Sequence, residues 1–190
     1  MIETSRTCFR GVEERDLELL LTWRNSERIR ANMYTSHLIT AVEHKAWFER
    51  LARDGDAFAF VFEDHGRPLG VVNLNHLDWR NKRCHWGFYL GETDAPPGSG
   101  TRMAYLALTQ VFDVLMLNKV IGEAFSFNAA SIAYHKKLGF AQEGHLAEHV
   151  LKDGSYLDIL SFALLSRDWP RVKAELERKL FPTGDAPCTR

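Results

Sequence analysis

Cysteine is scarce in this 190-residue chain. The three present, Cys8, Cys84 and Cys188, are far apart and form no CxxC pair, which excludes a disulfide framework and a thiolate zinc site on spacing grounds. They read as free thiols. Charge of one sign is also lacking: 24 Lys and Arg stand against 25 Asp and Glu, for a net charge of −1. Such a chain has no global field for a phosphate backbone or an anionic membrane, so neither nucleic acid nor lipid is expected as a partner. Long hydrophobic runs are missing too. The longest, Val111 to Leu117, is far too short to cross a bilayer, and the N-terminus MIETSRTCFRG has no apolar signal core, so a cytoplasmic location is expected. No repeat or low-complexity tract appears.

What remains is ordinary globular composition, 45% hydrophobic and 26% charged, at a length of about one domain with a remainder. Leu17, Leu20, Leu21 and Arg24 recur at helical spacing behind an acidic turn, predicting a first helix over 14–24. Val42, Ala46, Trp47 and Leu51 predict a second over 41–53, ended by Asp54-Gly55-Asp56. AFAFVFED (57–64) and PLGVVNLNHL (68–77) flank His65-Gly66-Arg67 as a hairpin, and RCHWGFYLG (83–91) follows as a third strand whose Gly87 suggests a bulge or a close approach by some other backbone. Gly98-Ser99-Gly100 opens a buried helix over 101–117. KVIGEAFSF (119–127) is a strand, Asn128 caps a helix that stops at Gly139, and two strands close around Lys152-Asp153-Gly154-Ser155. These make the order ααβββαβαββ, which a further helix over 168–180 and an unstructured tail over 181–190 follow. That order predicts a single α+β or mixed α/β domain over 1–167.

Ala95-Pro96-Pro97-Gly98-Ser99-Gly100-Thr101 lies between a strand and the longest helix. Unpaired N–H groups at a helix start, reached past glycines, suit an anion. A plain capping loop is the bland alternative, and neither the P-loop nor the dinucleotide fingerprint is present. His145-Leu146-Ala147-Glu148-His149 spells HxxEH, but it follows a helix-ending glycine and leads into a turn, so it reads as strand and no metal is expected.

Together, a strand with a central Gly, a GxG loop opening a buried helix, a strand carrying Glu123, then Asn128-x-x-Ser131 and Lys137-Leu138-Gly139-Phe140 resemble the GNAT family of acetyl-CoA-dependent N-acetyltransferases. The resemblance covers about residues 6–165. It implies a mixed, mostly antiparallel sheet splayed open near Gly87. It also implies that acetyl-CoA lies along Phe88, Tyr89 and Leu90 and rests its pyrophosphate on Gly98, Ser99, Gly100 and Thr101, with Asn128 nearby. Ala95 stands where the family carries Gln or Arg, so backbone N–H groups must do that work.

The reaction needs a neutral amine and an acid for the departing thiolate. By the resemblance Glu123 is the general base; its alternative is a strand-edge carboxylate paired with a lysine. Tyr134 and His135 both stand as candidates for the acid. For the acceptor, the resemblance implies that Arg30, Met33, Tyr34, His37 and His44, joined by Arg24 and Asn75, face a nucleotide-sugar; aromatic and cationic side chains suit a base, a diphosphate and a planar sugar face. Trp23 and Trp47 read as helix packing. The acceptor implied is the 4-amino group of a UDP-linked amino-dideoxy sugar, as in pseudaminic acid biosynthesis. The second reading is N-terminal acetylation of a ribosomal protein, and a third is a module that binds acetyl-CoA without turnover. Oligomeric state, including a homodimer, is left open.

Overall fold

The structure is a computed structural model describing residues 7–53, 55–181 and 188–189. It opens with a strand that the pattern does not predict, β1 (Thr7–Gly11), in which Thr7 and Phe9 are buried. The first helix region divides into a single 3-10 turn (Glu14–Asp16) and α1 (Leu17–Asn25), followed by a one-turn α2 (Glu27–Arg30). The turn is held by Asp16, whose carboxylate accepts from the Glu13 N–H and from both terminal nitrogens of Arg10. Helix α3 spans Ala41–Arg53. A meander of β2 (Phe58–Asp64), β3 (Arg67–Asp78) and β4 (Arg83–Leu90) follows.

Helix α4 (Ser99–Thr109) is almost wholly buried and ends in a π-helical turn, Gln110–Val114, short of the regular helix to 117 that the apolar pattern suggests. Then come β5 (Lys119–Phe125), α5 (Ala129–Lys137), β6 (Ala141–Lys152), β7 (Ser155–Leu165) and α6 (Trp169–Leu180). Of the tail, Phe181 packs on Tyr105 and β8 (Cys188–Thr189) pairs parallel with β1, while 182–187 and 190 lie outside the described residues.

The sheet runs β6-β7-β5-β4-β3-β2-β1-β8, antiparallel except for the β4–β5 and β1–β8 pairs. The main core, with Phe62, Val72, Trp86, Met103, Leu106, Phe140 and Phe162, fills the face under α4, α5 and α6. A smaller cluster of Leu20, Trp23, Ile29 and Val71 seats α1 and α2 on the other face. No helix among the described residues is long and apolar enough to cross a membrane.

The feature that positions the site is the short β4–β5 ladder. It pairs Arg83 to Trp86 with Lys119 to Gly122 and stops, leaving Gly87 to Leu90 without a strand on that side. Gly87 is not a bulge, because the β3–β4 register runs unbroken from Gly70↔Leu90 to Asn75↔His85, and the shift lies between Asn75 and Asp78. Gly87 is instead a bare position: a Cβ added there meets nothing within 4 Å.

Candidate active site

Two cavities open beside the parted strands. One, of about 460 Å³, lies between β4 and β5 and is lined by Phe88, Tyr89, Leu90, Gly100, Met103, Phe125, Asn128 and Tyr134. The other, of about 850 Å³, lies between the sheet and α3 and is lined by Arg24, His37, His44, Trp47, Arg50, Asn73, Asn75, His76 and His85. Trp86, Gly87, Phe88 and Tyr89 of β4 line both, as do Met33, Tyr34 and Glu123.

Glu123 sits on β5 one residue past the last β4 pair, where the strands have begun to separate. Its Oε2 accepts a 2.6 Å hydrogen bond from the Tyr34 hydroxyl, and its Oε1 stands 4.0 Å from His85 Nδ1. Burial, with the carboxylate adding to it, pushes the Tyr34 phenol up, so this hydroxyl stays protonated. Tyr34 reaches Glu123 because its loop is pinned from the far hairpin. Lys152 Nζ, at the end of β6, donates to the carbonyls of Arg30, Ala31 and Met33 at 3.3, 2.7 and 2.7 Å.

The two candidates for the acid are separated by their surroundings. His135 is fully buried, donates from Nδ1 to the Ser131 carbonyl at 2.8 Å and accepts from Trp86 Nε1 at Nε2. Burial lowers its pKa against the opposing Ser131 bond, so the ring is neutral and both nitrogens are engaged. It does not line either cavity. Tyr134 lines the β4–β5 cleft, and its hydroxyl donates to the Gly100 carbonyl at 2.6 Å.

The loop before α4 leaves backbone N–H groups unpaired. Gly98 takes a left-handed conformation, φ 88°, and Ser99 N–H is consumed by Pro96 O, which leaves the first-turn N–H groups of Gly100 and Thr101 without intrahelical partners. Arg102 and Lys137 stand beside it, Arg102 on the Pro97 carbonyl and Lys137 on Thr101 Oγ1. Ala95 does not reach the cleft but packs on the main core. Asn128 lines the cleft, and its Oδ1 caps α5 by accepting from Ser131 N–H.

Among the predicted acceptor residues, Arg24, Met33, Tyr34, His37, His44 and Asn75 converge on the larger cavity. Arg30 does not. Its guanidinium turns back to Glu27 and the Ser36 carbonyl and braces the loop, because the single turn of α2 points it away from the sheet. Trp23 is packing, seated on Gly91, where a Cβ would fall inside its ring. Trp47 does more than pack: it stacks on His44 at 4.9 Å and lines the cavity. Residue patterns missed Arg50, Asn73, His76 and His85. His145, of the metal-like HxxEH segment, lies on strand β6 and bonds Asp158; no group of three or more metal-ligating side chains occurs among the described residues.

The cleft fits an extended, amide-bearing chain that ends in a phosphate: an unpaired strand edge, a bare Gly87 and a helix N-terminus lie along one path. Such a site defines an acyltransferase that takes its acyl group from a coenzyme A thioester. The profile described as "Acetyltransferase (GNAT) domain" matches residues 6–141, and the chain belongs to that family. It is an N-acetyltransferase, and acetyl-CoA is its acetyl donor.

Among curated proteins the chain is similar to the spermidine N(1)-acetyltransferase of Escherichia coli K12, 24% identical over 84% of this chain and 86% of that one. It is also similar to a putative ribosomal N-acetyltransferase of Bacillus subtilis, 28% identical over 57% of this chain; the match spans 59% of that relative's length. Among solved structures, spermidine N-acetyltransferase from Vibrio cholerae in complex with CoA and spermine shares the fold, with a TM-score of 0.81 at 20% identity over 87% of this chain and 98% of that one.

Proposed function

We propose that the acceptor is an anionic amine, specifically the 4-amino group of a UDP-linked 4-amino-4,6-dideoxy-N-acetyl-β-L-altrosamine, the acceptor class of pseudaminic acid biosynthesis. The observation that carries this is the charge of the larger cavity. Arg24 and Arg50 line it with no carboxylate partner among the described residues, while His44 and His85, whose pKa values burial lowers, add no charge there near pH 7. Its two carboxylates are already engaged, Glu43 by Thr40 and His37, and Glu123 by Tyr34. Burial lowers the pKa of Arg24 even so, which marks a desolvated cation in want of an anion. A polyamine, the substrate named for the E. coli relative, would bring further positive charge here. A diphosphate would neutralise it, and the Trp47–His44 stack offers a planar face to a base.

Acetyl-CoA supplies the acetyl group as a thioester. Phe88, Tyr89 and Leu90 would hold its extended arm along the open edge, and the Gly100 and Thr101 N–H groups its pyrophosphate. Glu123, where the two cavities meet, takes the proton from the acceptor amine, directly or through one water. Tyr134 protonates the leaving sulfur. Its support over His135 is that its hydroxyl lines the cleft, whereas both His135 nitrogens are spent in the core.

Release of free CoA thiol separates the acceptors. The UDP-amino sugar is expected to exceed both spermidine and an N-terminal ribosomal peptide by at least tenfold in kcat/KM, and the reverse order overturns the reading. Tyr134→Phe is expected to lose about 10²–10⁴-fold in kcat. His135→Gln is expected to lose stability first.

A further inference from the structure

The larger cavity holds a histidine pair that the reaction as described leaves unused. His85 projects from β4 with its Nδ1 4.0 Å from Glu123 Oε1, the carboxylate oxygen that Tyr34 does not occupy. Its other neighbour is His76, edge-on at 5.4 Å between ring centroids. The backbone is bent to place His76: it has a φ of 52°, a left-handed conformation rare for a residue with a side chain, at the β3 register shift between Asn75 and Asp78. Both rings line the cavity, and His85 is about a third exposed, so solvent reaches it.

We propose that His85, set in place by His76, is the proton outlet of Glu123, drawing off the proton that Glu123 takes from the acceptor amine. This rests on Glu123 acting as the base. One proton passes from the acceptor nitrogen to Glu123 Oε1, then to the lone pair of His85 Nδ1, and an equivalent proton leaves His85 Nε2 for solvent. No other group changes charge. At 4.0 Å the transfer takes one bridging water or a small closure, as catalytic contacts do when substrate arrives.

The surroundings suit the role. Burial lowers the His85 pKa; Glu123 on β5 opposes that, and His76 on β3, Arg83 on β4 and Lys119 on β5 add to it. His85 is therefore neutral and ready to accept near pH 7.

The experiment compares His85→Ala, His85→Gln and Glu123→Gln with the wild type, using the amine that gives thiol release and checking that each variant still binds acetyl-CoA. His85→Ala is expected to fall about 10²-fold in kcat and to regain much of that with added imidazole, while His85→Gln stays slow. A loss under threefold, or one that imidazole leaves untouched, overturns the outlet. Glu123→Gln at wild-type rate would instead remove the base reading beneath it. A second readout needs no turnover: the His85 ring titration, followed by NMR, should move to lower pH in Glu123→Gln. If it stays in place the two groups are uncoupled and the proposal fails.

Discussion

Gly122→Ala is the substitution that most directly probes how the sheet is parted. Strand interiors ordinarily gain about 0.5–1 kcal/mol when Gly becomes Ala. Gly122 should reverse that sign. It forms the last β4–β5 pair, opposite Trp86, and the Trp86–His135 hydrogen bond of 3.2 Å passes directly over it. A Cβ there would overlap the His135 ring and stand 2.5 Å from Trp86 Nε1. Neither ring can yield freely, because His135 stacks on Phe162 at 5.1 Å and Trp86 on Phe140 at 5.0 Å. Overpacking costs about 1–3 kcal/mol, and separating a buried donor from its acceptor costs about another 1–3. After the intrinsic gain, a net loss of about 1–5 kcal/mol, centred near ~3, remains, which for a chain of this size lowers Tm by roughly 6–12 °C at the central value. Urea and thermal unfolding followed by circular dichroism measure it. A Tm equal to or above that of the wild type would refute the claim that this glycine exists for the crossing of the two rings.

Other substitutions test neighbouring claims. Gly87→Ala should leave Tm unchanged or slightly raised, because its Cβ meets nothing, yet weaken acetyl-CoA or acceptor binding severalfold by projecting into the cavities; calorimetric titration reads both ligands. Lys152→Met should raise the acceptor KM while leaving the acetyl-CoA Kd in place, since it frees the Arg30–Met33 carbonyls and with them Tyr34. Asp16→Asn should cost about 3 kcal/mol at pH 7. Burial pushes the Asp16 carboxyl up, but the Arg10 and Glu13 bonds outweigh it and hold the pKa below its ordinary value. A depressed pKa gives stability that is present above the unfolded value near ~3.9 and is lost as pH falls through the folded one. Wild type and variant should therefore converge in Tm in acid, and a gap that persists there would contradict the assignment.

The elements that residue patterns located are those with strong periodicity, such as α3 and the β2–β3 hairpin. β1 escaped because TCFRG carries one large apolar side chain, Phe9, and becomes a strand only by pairing with β2 some fifty residues on. Glu123 was legible as a carboxylate in an apolar strand. Asn73 and His85 were not, although Asn73 alternates with Val72 and Leu74 as Asn75 does, a signal that marks one polar face. Arg30 was misplaced because a helix of one turn fixes no face by periodicity, so its direction came only from Glu27 and the Ser36 carbonyl. The choice between Tyr134 and His135 likewise depended on which ring the core claimed, a matter of packing between elements distant in sequence.

An interrupted ladder is also a hazard. Backbone groups that have lost a neighbour invite any passing extended chain, and proteins commonly place a charge where such invitations are strongest. Arg28 fills that office here, donating to the carbonyls of Leu90 and Gly91 at the end of the open edge. The same unpaired backbone that suits a slender ligand would also accept a stray strand, and Arg28 occupies the two carbonyl acceptors at its end.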